Sequence, residues 1–187
     1  FYQRSNFNLY PKKIPKKIKR GDTLLIGFDN LKVKVLKVNK NFILFKTILS
    51  GLLENNKGVH IENRKIKLDF LTDKDLQAIK VAKKLGVKNY ALSFTNSLSD
   101  ILRFISILKK ENKIFKIETI KAVKNIKEIL NNGSEFIIDR GDLSKEVKIE
   151  NIPKIQRKIF KISKKYKNKS IYIATNLLES MIYNQYP

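Results

Sequence analysis

The feature that most constrains the fold is a regular alternation of strand and helix patterns from about residue 66 onward. Short apolar runs have the pattern of buried strands, and each is followed by a segment with apolar residues at helical spacing. Repeated strand-then-helix units pair their strands in parallel through right-handed crossovers. The pattern therefore predicts an α/β fold with four parallel β/α units, whose strands are residues 90–94, 113–118, 135–139 and 170–175.

Capping residues and apolar periodicity locate the helices of these units. Thr72 with Asp75, and Ser97 with Asp100, have the spacing of a capping box. Further helices are expected at residues 152–166 and from Leu177. The apolar positions, whose isoleucines we expect in the core, are Leu76, Ile79, Ala82 and Leu85, then Ile101, Leu102, Ile105 and Leu108, then Ile120, Val123, Ile126 and Leu130.

Residues 23–48 have a different pattern, that of antiparallel strands. Residues 31–38 alternate strictly between apolar and polar, and apolar runs lie on either side, separated by the turn-like pairs Asp29-Asn30 and Asn39-Lys40. We therefore predict two domains: a small antiparallel β-domain with a basic N-terminal segment over residues 1–62, and the β/α units over residues 63–187.

The formal net charge of +23 invites a nucleic-acid interpretation. Only six of the 40 basic residues are arginine, the residue preferred for bidentate recognition of bases and phosphates. The lysines are spread along the chain, and lysine, asparagine and isoleucine all have A/T-rich codons. A solvated lysine surface is thus favoured over nucleic-acid binding. One basic run precedes the first strand: Lys12, Lys13, Lys16, Lys17, Lys19 and Arg20.

Composition excludes several classes of protein. The sequence has no cysteine, which excludes disulfides and thiolate metal sites and is compatible with a reducing cytosol. The longest apolar stretch, residues 41–53, is broken by Lys46 and Ser50, so no membrane span is predicted. Because the sequence begins with Phe1 and stops at Pro187 just after a helix begins, we expect it to be a segment of a longer chain.

Charged side chains lie where the predicted strands end. Lys116 and Glu118 are two apart on a strand, so they point to the same face, about 6 to 7 Å apart. Asp142 follows the next strand, and two carboxylates from neighbouring strands suit Mg²⁺. From the residues alone, a structural ion pair, a helix cap at Asp142 and an ordinary strand residue at Thr175 remain open alternatives.

The order and spacing of several motifs resemble pyruvate kinase. The motifs are Lys57-Gly58-Val59, Ser93-Phe94, Lys116-Ile117-Glu118, Arg140-Gly141-Asp142-Leu143, and Ala174-Thr175 followed by residues 178–182. The resemblance extends from about Gly21 onward. It implies a reduced β-domain and part of a TIM-type (β/α)₈ barrel, of which this sequence holds half of the eight units. Two uncovered sheet edges imply self-association or further segments.

The resemblance also implies a function: transfer of a phosphoryl group from phosphoenolpyruvate to ADP, giving pyruvate and ATP in cytoplasmic glycolysis. Glu118 and Asp142 would hold Mg²⁺ or Mn²⁺, and Lys116 would stabilise the developing enolate oxygen. Thr175 would contact the substrate and help to deliver a proton to the enolate. K⁺ is implied as well, with ligands outside this sequence.

Two further binding roles are implied by the resemblance. The backbone of Arg140-Gly141-Asp142 would cradle the substrate carboxylate, and Lys57 is a candidate contact for the nucleotide phosphates. Asp139 stands where the family usually has alanine. Its carboxylate is expected to repel an anionic substrate unless it faces away or pairs with Arg140. The alternative function is therefore an inactive relative of pyruvate kinase that binds a partner or a polyanion through its basic surface.

Overall fold

The structure is a computed structural model, and it describes residues 8–27, 31–62, 64, 66, 68–175, 177–182 and 184–185. The chain forms two compact units, Phe1–Lys74 and Asp75–Pro187. The domain boundary predicted after residue 62 stays a prediction. None of the helices in the described part of the chain has the length and apolar composition needed to span a bilayer.

The first unit contains an antiparallel sheet, which confirms the predicted fold of this region. Its described strands, in the order β3-β2-β1-β4, are β1 (Thr23–Ile26), β2 (Leu31–Val38), β3 (Ile43–Leu49) and β4 (Val59–Ile61). The three-residue strand β4 was not predicted, and the turn pair Asp29-Asn30 lies outside the described residues. Alternation in β2 buries one face, and the core of the unit comprises Ile18, Leu24, Ile26, Leu31, Val33 and Val35.

A buried carboxylate ties the start of this sheet to the segment that follows it. Asp22 is 2% exposed, and Arg64 donates from Nε to Oδ1 at 2.7 Å and from Nη2 to Oδ2 at 2.6 Å. The Lys19 backbone N–H donates to Oδ2 at 2.8 Å. Hydrogen bonding from Arg64 lowers the pKa of Asp22 below its usual value, against the opposing effect of burial.

The second unit contains a parallel sheet in which sequential strands are neighbours, as the alternating pattern predicted. The described strands, in the order β5-β6-β7-β8, are β5 (Asn89–Leu92), β6 (Asn112–Ile117), β7 (Glu135–Asp139) and β8 (Ser170–Ala174). The α-helices described after β4 are α1 (Asp73–Lys84), most of which belongs to this unit, α2 (Leu98–Ile107), α3 (Ile120–Lys124), α4 (Ile126–Asn132), α5 (Arg140–Leu143) and α6 (Ile152–Ser163).

Aromatic side chains join the sheet to its helices. Phe104 of α2 meets Phe115 of β6 edge to face, with ring centroids 6.1 Å apart, and Phe115 lies 6.1 Å from Phe136 of β7. Ile117 and Ile138, next along these strands, are fully buried. One face of β6 and β7 is therefore core, which leaves the alternate side chains, including Lys116, on the other face.

Two predictions about the helices were wrong in detail, and three leucines at the predicted apolar positions are exposed. The single helix predicted around residues 120–130 is divided at Asn125, whose side-chain amide donates to the Asn96 carbonyl at 2.8 Å. The apolar positions Leu76 and Leu85 at α1 are 45% and 77% exposed, and Leu102 on α2 is 52% exposed. The helix predicted from Leu177 is a short 3-10 helix, Glu179–Ile182.

We predict that Asp22→Asn lowers the free energy of unfolding by about 1.5–3 kcal/mol near pH 7, as expected for hydrogen bonds to charged groups. The folded-state pKa of Asp22 lies below the unfolded value of about 3.9. The contribution of ionised Asp22 to the free energy of unfolding is therefore present above pH 4 and is lost as pH falls through the folded-state pKa. Urea denaturation from pH 7 to pH 2.5 measures this difference.

The matched control is Asp69→Asn, which changes an exposed carboxylate of the same unit and should shift the free energy of unfolding by no more than about 0.5 kcal/mol. If the free energies of unfolding of wild type and Asp22→Asn differ by the same amount at pH 7 and at pH 2.5, ionised Asp22 does not stabilise the fold.

Candidate active site

The carboxyl ends of the parallel strands bring several polar residues to one edge of the sheet. The register pairs Ile117 with Ile138 and Asp139 with Ala174. Glu118, which follows β6, therefore lies beside Asp139, the last residue of β7. Thr175 follows β8 directly. This is the edge at which barrel enzymes place their chemistry.

Glu118 is held in a buried position by two contacts. It is 1% exposed, the Phe94 backbone N–H donates to its Oε2 at 2.5 Å, and Lys116 Nζ lies 2.6 Å from its Oε1. Phe94 has a φ of 53°, in the left-handed region. Burial raises the pKa of Glu118 above its usual value, although the Lys116 ammonium and the Phe94 N–H oppose that change.

Asp139 brings a second buried carboxylate to the same ammonium. It is 6% exposed, and Lys116 Nζ lies 3.0 Å from its Oδ2. Its Oδ1 accepts from the Thr175 hydroxyl at 3.0 Å and, as the N-cap of α5, from the Asp142 backbone N–H at 3.4 Å. Burial opposes ionisation of Asp139, but Lys116 and these donors outweigh it and lower its pKa.

Lys116 is the cation that links the two carboxylates. Its side chain is 22% exposed, between β6 and β7. Burial by itself would lower the pKa of Lys116, but Glu118 and Asp139 together raise it above its usual value. The side chain is therefore a fixed ammonium rather than a group that exchanges its proton near neutral pH.

The loop after β7 is fastened to the end of β8. The Gly141 backbone N–H donates to Thr175 Oγ1 at 2.7 Å, and Arg140 donates from Nε and Nη2 to the Thr175 carbonyl at 3.1 Å each. Thr175 has a φ of 67°, and a Cβ at position 141 would lie 3.1 Å from its hydroxyl oxygen. Glycine at position 141 thus permits the close approach.

The acidic groups form a donor set that fits a hard divalent cation. Oxygens of Glu118, Asp139 and Asp142 all lie within 4.8 Å of one another. Oε1 of Glu118 is buried, and the contact that the described residues give it is the Lys116 ammonium at 2.6 Å. Asp142 is partly exposed and pairs with Lys145 at 2.8 Å. Carboxylate oxygens are the ligands that Mg²⁺ and Mn²⁺ prefer.

The structure brings most of the predicted site residues together. Lys116, Glu118 and Asp142 lie in or beside the acidic cluster, and Thr175 joins it through Asp139. Lys57 belongs to the first unit, where it pairs with Glu54 at 2.8 Å, and its contact with nucleotide phosphates stays a prediction.

Two features of the site go beyond the sequence predictions. Asp139 does not face away from the site: it points into the cluster and contacts Lys116. The backbone donors of Gly141 and Asp142 are engaged with Thr175 and Asp139, so a substrate carboxylate bound there would replace those contacts. The spacing of Asp139 and Asp142, three residues apart at a strand end, is the sequence signal of this N-cap.

Comparison with known proteins decides the family. A family model described as "Pyruvate kinase, barrel domain" matches residues 3–187. The chain belongs to the pyruvate kinase family. It is 33% identical over 178 residues to a pyruvate kinase of Thermotoga maritima, 34% identical over 183 residues to one of Buchnera aphidicola, and 34% identical over 174 residues to one of Methanocaldococcus jannaschii.

These alignments cover most of this chain but a smaller part of its relatives. They include 93%, 94% and 91% of the chain, respectively. In each case the chain spans 38% of the length of the named pyruvate kinase. The parallel sheet and the strand-end cluster therefore correspond to part of the barrel of a pyruvate kinase.

We predict that Lys116→Met destabilises the second unit by about 3–5 kcal/mol, because it leaves two buried carboxylates without their shared cation. The free energy of unfolding should be measured by urea denaturation at pH 7 with EDTA present, so that no divalent cation replaces the ammonium. The double variant Lys116→Met/Asp139→Asn should recover part of the loss, since one of the two charges is then removed.

Lys121→Met is the matched control, because Lys121 is an exposed lysine of α3 and its loss should change stability by no more than about 0.5 kcal/mol. Equal effects of Lys116→Met and Lys121→Met would show that the buried ion pairs do not stabilise the unit.

Proposed function

We propose that this chain provides the catalytic region for transfer of a phosphoryl group from phosphoenolpyruvate to ADP, giving pyruvate and ATP. The observation that carries the proposal is the position of the Lys116 ammonium, 2.6 Å from Glu118 and 3.0 Å from Asp139, beside the carboxylate of Asp142. One fixed cation beside clustered acids at the carboxyl edge of a parallel sheet suits a reaction in which negative charge moves between oxygens.

The acidic cluster would hold the metal ion that such a reaction needs. Glu118 and Asp142 are the proposed ligands of Mg²⁺ or Mn²⁺, and Asp139 offers a third carboxylate near them. When bound, the ion would neutralise the phosphate and carboxylate charges of the substrate. It would also offset the mutual repulsion of the three acids, which Lys116 and Lys145 only partly balance.

Lys116 would stabilise the enolate oxygen on which charge develops as the phosphoryl group leaves. Its ammonium is held by two carboxylates on neighbouring strands, so little reorganisation is needed when charge appears. Glu118 and Asp139 raise the pKa of Lys116, which favours its cationic form. The contribution of this side chain is thus a fixed positive charge.

Thr175 would contact the substrate and relay a proton to the enolate carbon. Its hydroxyl accepts from the Gly141 N–H, and its single proton is directed either to Asp139 Oδ1 at 3.0 Å or to the Ala174 carbonyl at 2.6 Å. A hydroxyl with one fixed donor and two competing acceptors can redirect its proton without moving its oxygen. This property suits a relay between solvent and substrate.

We predict that the chain forms pyruvate from phosphoenolpyruvate and ADP in the presence of Mg²⁺ and K⁺. Lys116→Met should reduce kcat by about 100-fold or more, the effect of removing one group that stabilises a developing oxyanion. Glu118→Gln should reduce activity at low Mg²⁺ concentration, because it removes a proposed ligand. Pyruvate can be measured by a coupled dehydrogenase assay.

The control for this assay is Glu128→Gln, an exposed glutamate of α4, which should retain full activity. A wild-type rate no higher than that of Lys116→Met or Glu118→Gln would end the enzymatic proposal. Salt-sensitive binding to RNA that survives Glu118→Gln would then favour the alternative, an inactive relative that binds polyanions through its basic surface.

A further inference from the structure

Asp139 contacts three groups at the site through its two carboxylate oxygens. Oδ2 lies 3.0 Å from Lys116 Nζ, and Oδ1 accepts from the Thr175 hydroxyl at 3.0 Å and from the Asp142 N–H at 3.4 Å. These contacts reach β6, the end of β8 and the first turn of α5. Among the described contacts of the other two acids, Glu118 meets Lys116 but not Thr175, and the Asp142 carboxylate pairs with Lys145.

Asp139 is also anchored by its position in the sheet. It is the last residue of β7, it is 6% exposed, and its register partner is Ala174 of β8. Lysine, by contrast, has four rotatable side-chain bonds, and its ammonium takes its position from the groups around it. A buried acid on a rigid strand can therefore fix a lysine that would otherwise sample several positions.

The effect on Lys116 follows from having two partners instead of one. Contact with Glu118 alone would allow the ammonium to swing about a single oxygen. A second contact from the neighbouring strand confines Nζ to the region between β6 and β7. Asp139 also influences where the Thr175 hydroxyl points its proton, because Asp139 Oδ1 competes with the Ala174 carbonyl for it.

We propose that Asp139 is a positioning residue, which holds the Lys116 ammonium and the Thr175 hydroxyl in the orientations that the reaction uses. The inference rests on the proposed function for the roles of Lys116 and Thr175, whereas the positioning itself is a property of the folded chain. Asp139 touches neither substrate nor reacting atoms in this scheme and acts through its neighbours.

The positioning can be tested without any enzymatic activity by NMR of lysine ammonium groups in the ¹⁵N-labelled full chain. An ammonium confined by two carboxylates exchanges its protons slowly and gives an observable ¹H–¹⁵N signal. The signal that disappears in Lys116→Met is assigned to Lys116. We expect this signal to be lost or strongly broadened in Asp139→Asn and Asp139→Ala, and to be unchanged in Glu128→Gln.

Asp139→Asn keeps an acceptor for Thr175 and for the Asp142 N–H, so it preserves the N-cap of α5. If Asp139→Ala does not fold, the spectrum of Asp139→Asn alone decides the test. Amide spectra report whether each variant is folded. A Lys116 ammonium signal that is unchanged in folded Asp139→Asn would overturn the inference, whatever the activity of the chain.

Kinetics provide a second readout that a purely structural role would not produce. Asp139→Asn should lower kcat by about 10- to 100-fold, the usual effect of removing a supporting contact, and should change KM for phosphoenolpyruvate by less than about 3-fold. A higher kcat in Asp139→Asn or Asp139→Ala would overturn the inference, because Asp139 would then oppose the reaction. An inactive wild type whose Lys116 signal depends on Asp139 would refute only the proposed function.

Discussion

One ammonium between two buried carboxylates is the interaction on which the edge of the parallel sheet depends. Lys116 comes from β6 and Asp139 from β7, and Glu118 completes the group immediately after β6. Without the cation, two nearly inaccessible acids would lie side by side on neighbouring strands, which is strongly unfavourable. Glu118 also belongs to the acidic cluster with Asp142, and these two acids are the proposed ligands of a divalent cation.

The sequence was sufficient to predict the parts of the fold that depend on local pattern. Alternating strands and helices predicted the parallel sheet and the order of β5 to β8, and alternation in residues 31–38 predicted an antiparallel strand. The spacing of Lys116 and Glu118 placed both side chains on one face, where the structure joins them in an ion pair. Each of these features is determined by the backbone geometry of a few consecutive residues.

The remaining features depend on contacts between residues that are distant in the sequence. The division between α3 and α4 involves the hydrogen bond from Asn125 to the Asn96 carbonyl, 29 residues away, which apolar periodicity cannot reveal. Periodicity also identified an apolar face on α1, but not whether another element covers it. Asp139 was expected to disturb an anionic site, and its contact with Lys116 depends on how β6 and β7 are aligned.

The proposed reaction depends on the binding of one divalent cation by Glu118 and Asp142 beside Lys116. Anomalous diffraction from crystals of the chain soaked in MnCl₂ tests it most directly. We expect one strong manganese peak about 2.1 Å from a carboxylate oxygen of each acid. Manganese bound elsewhere, or no peak between these two residues at saturating concentration, would contradict it.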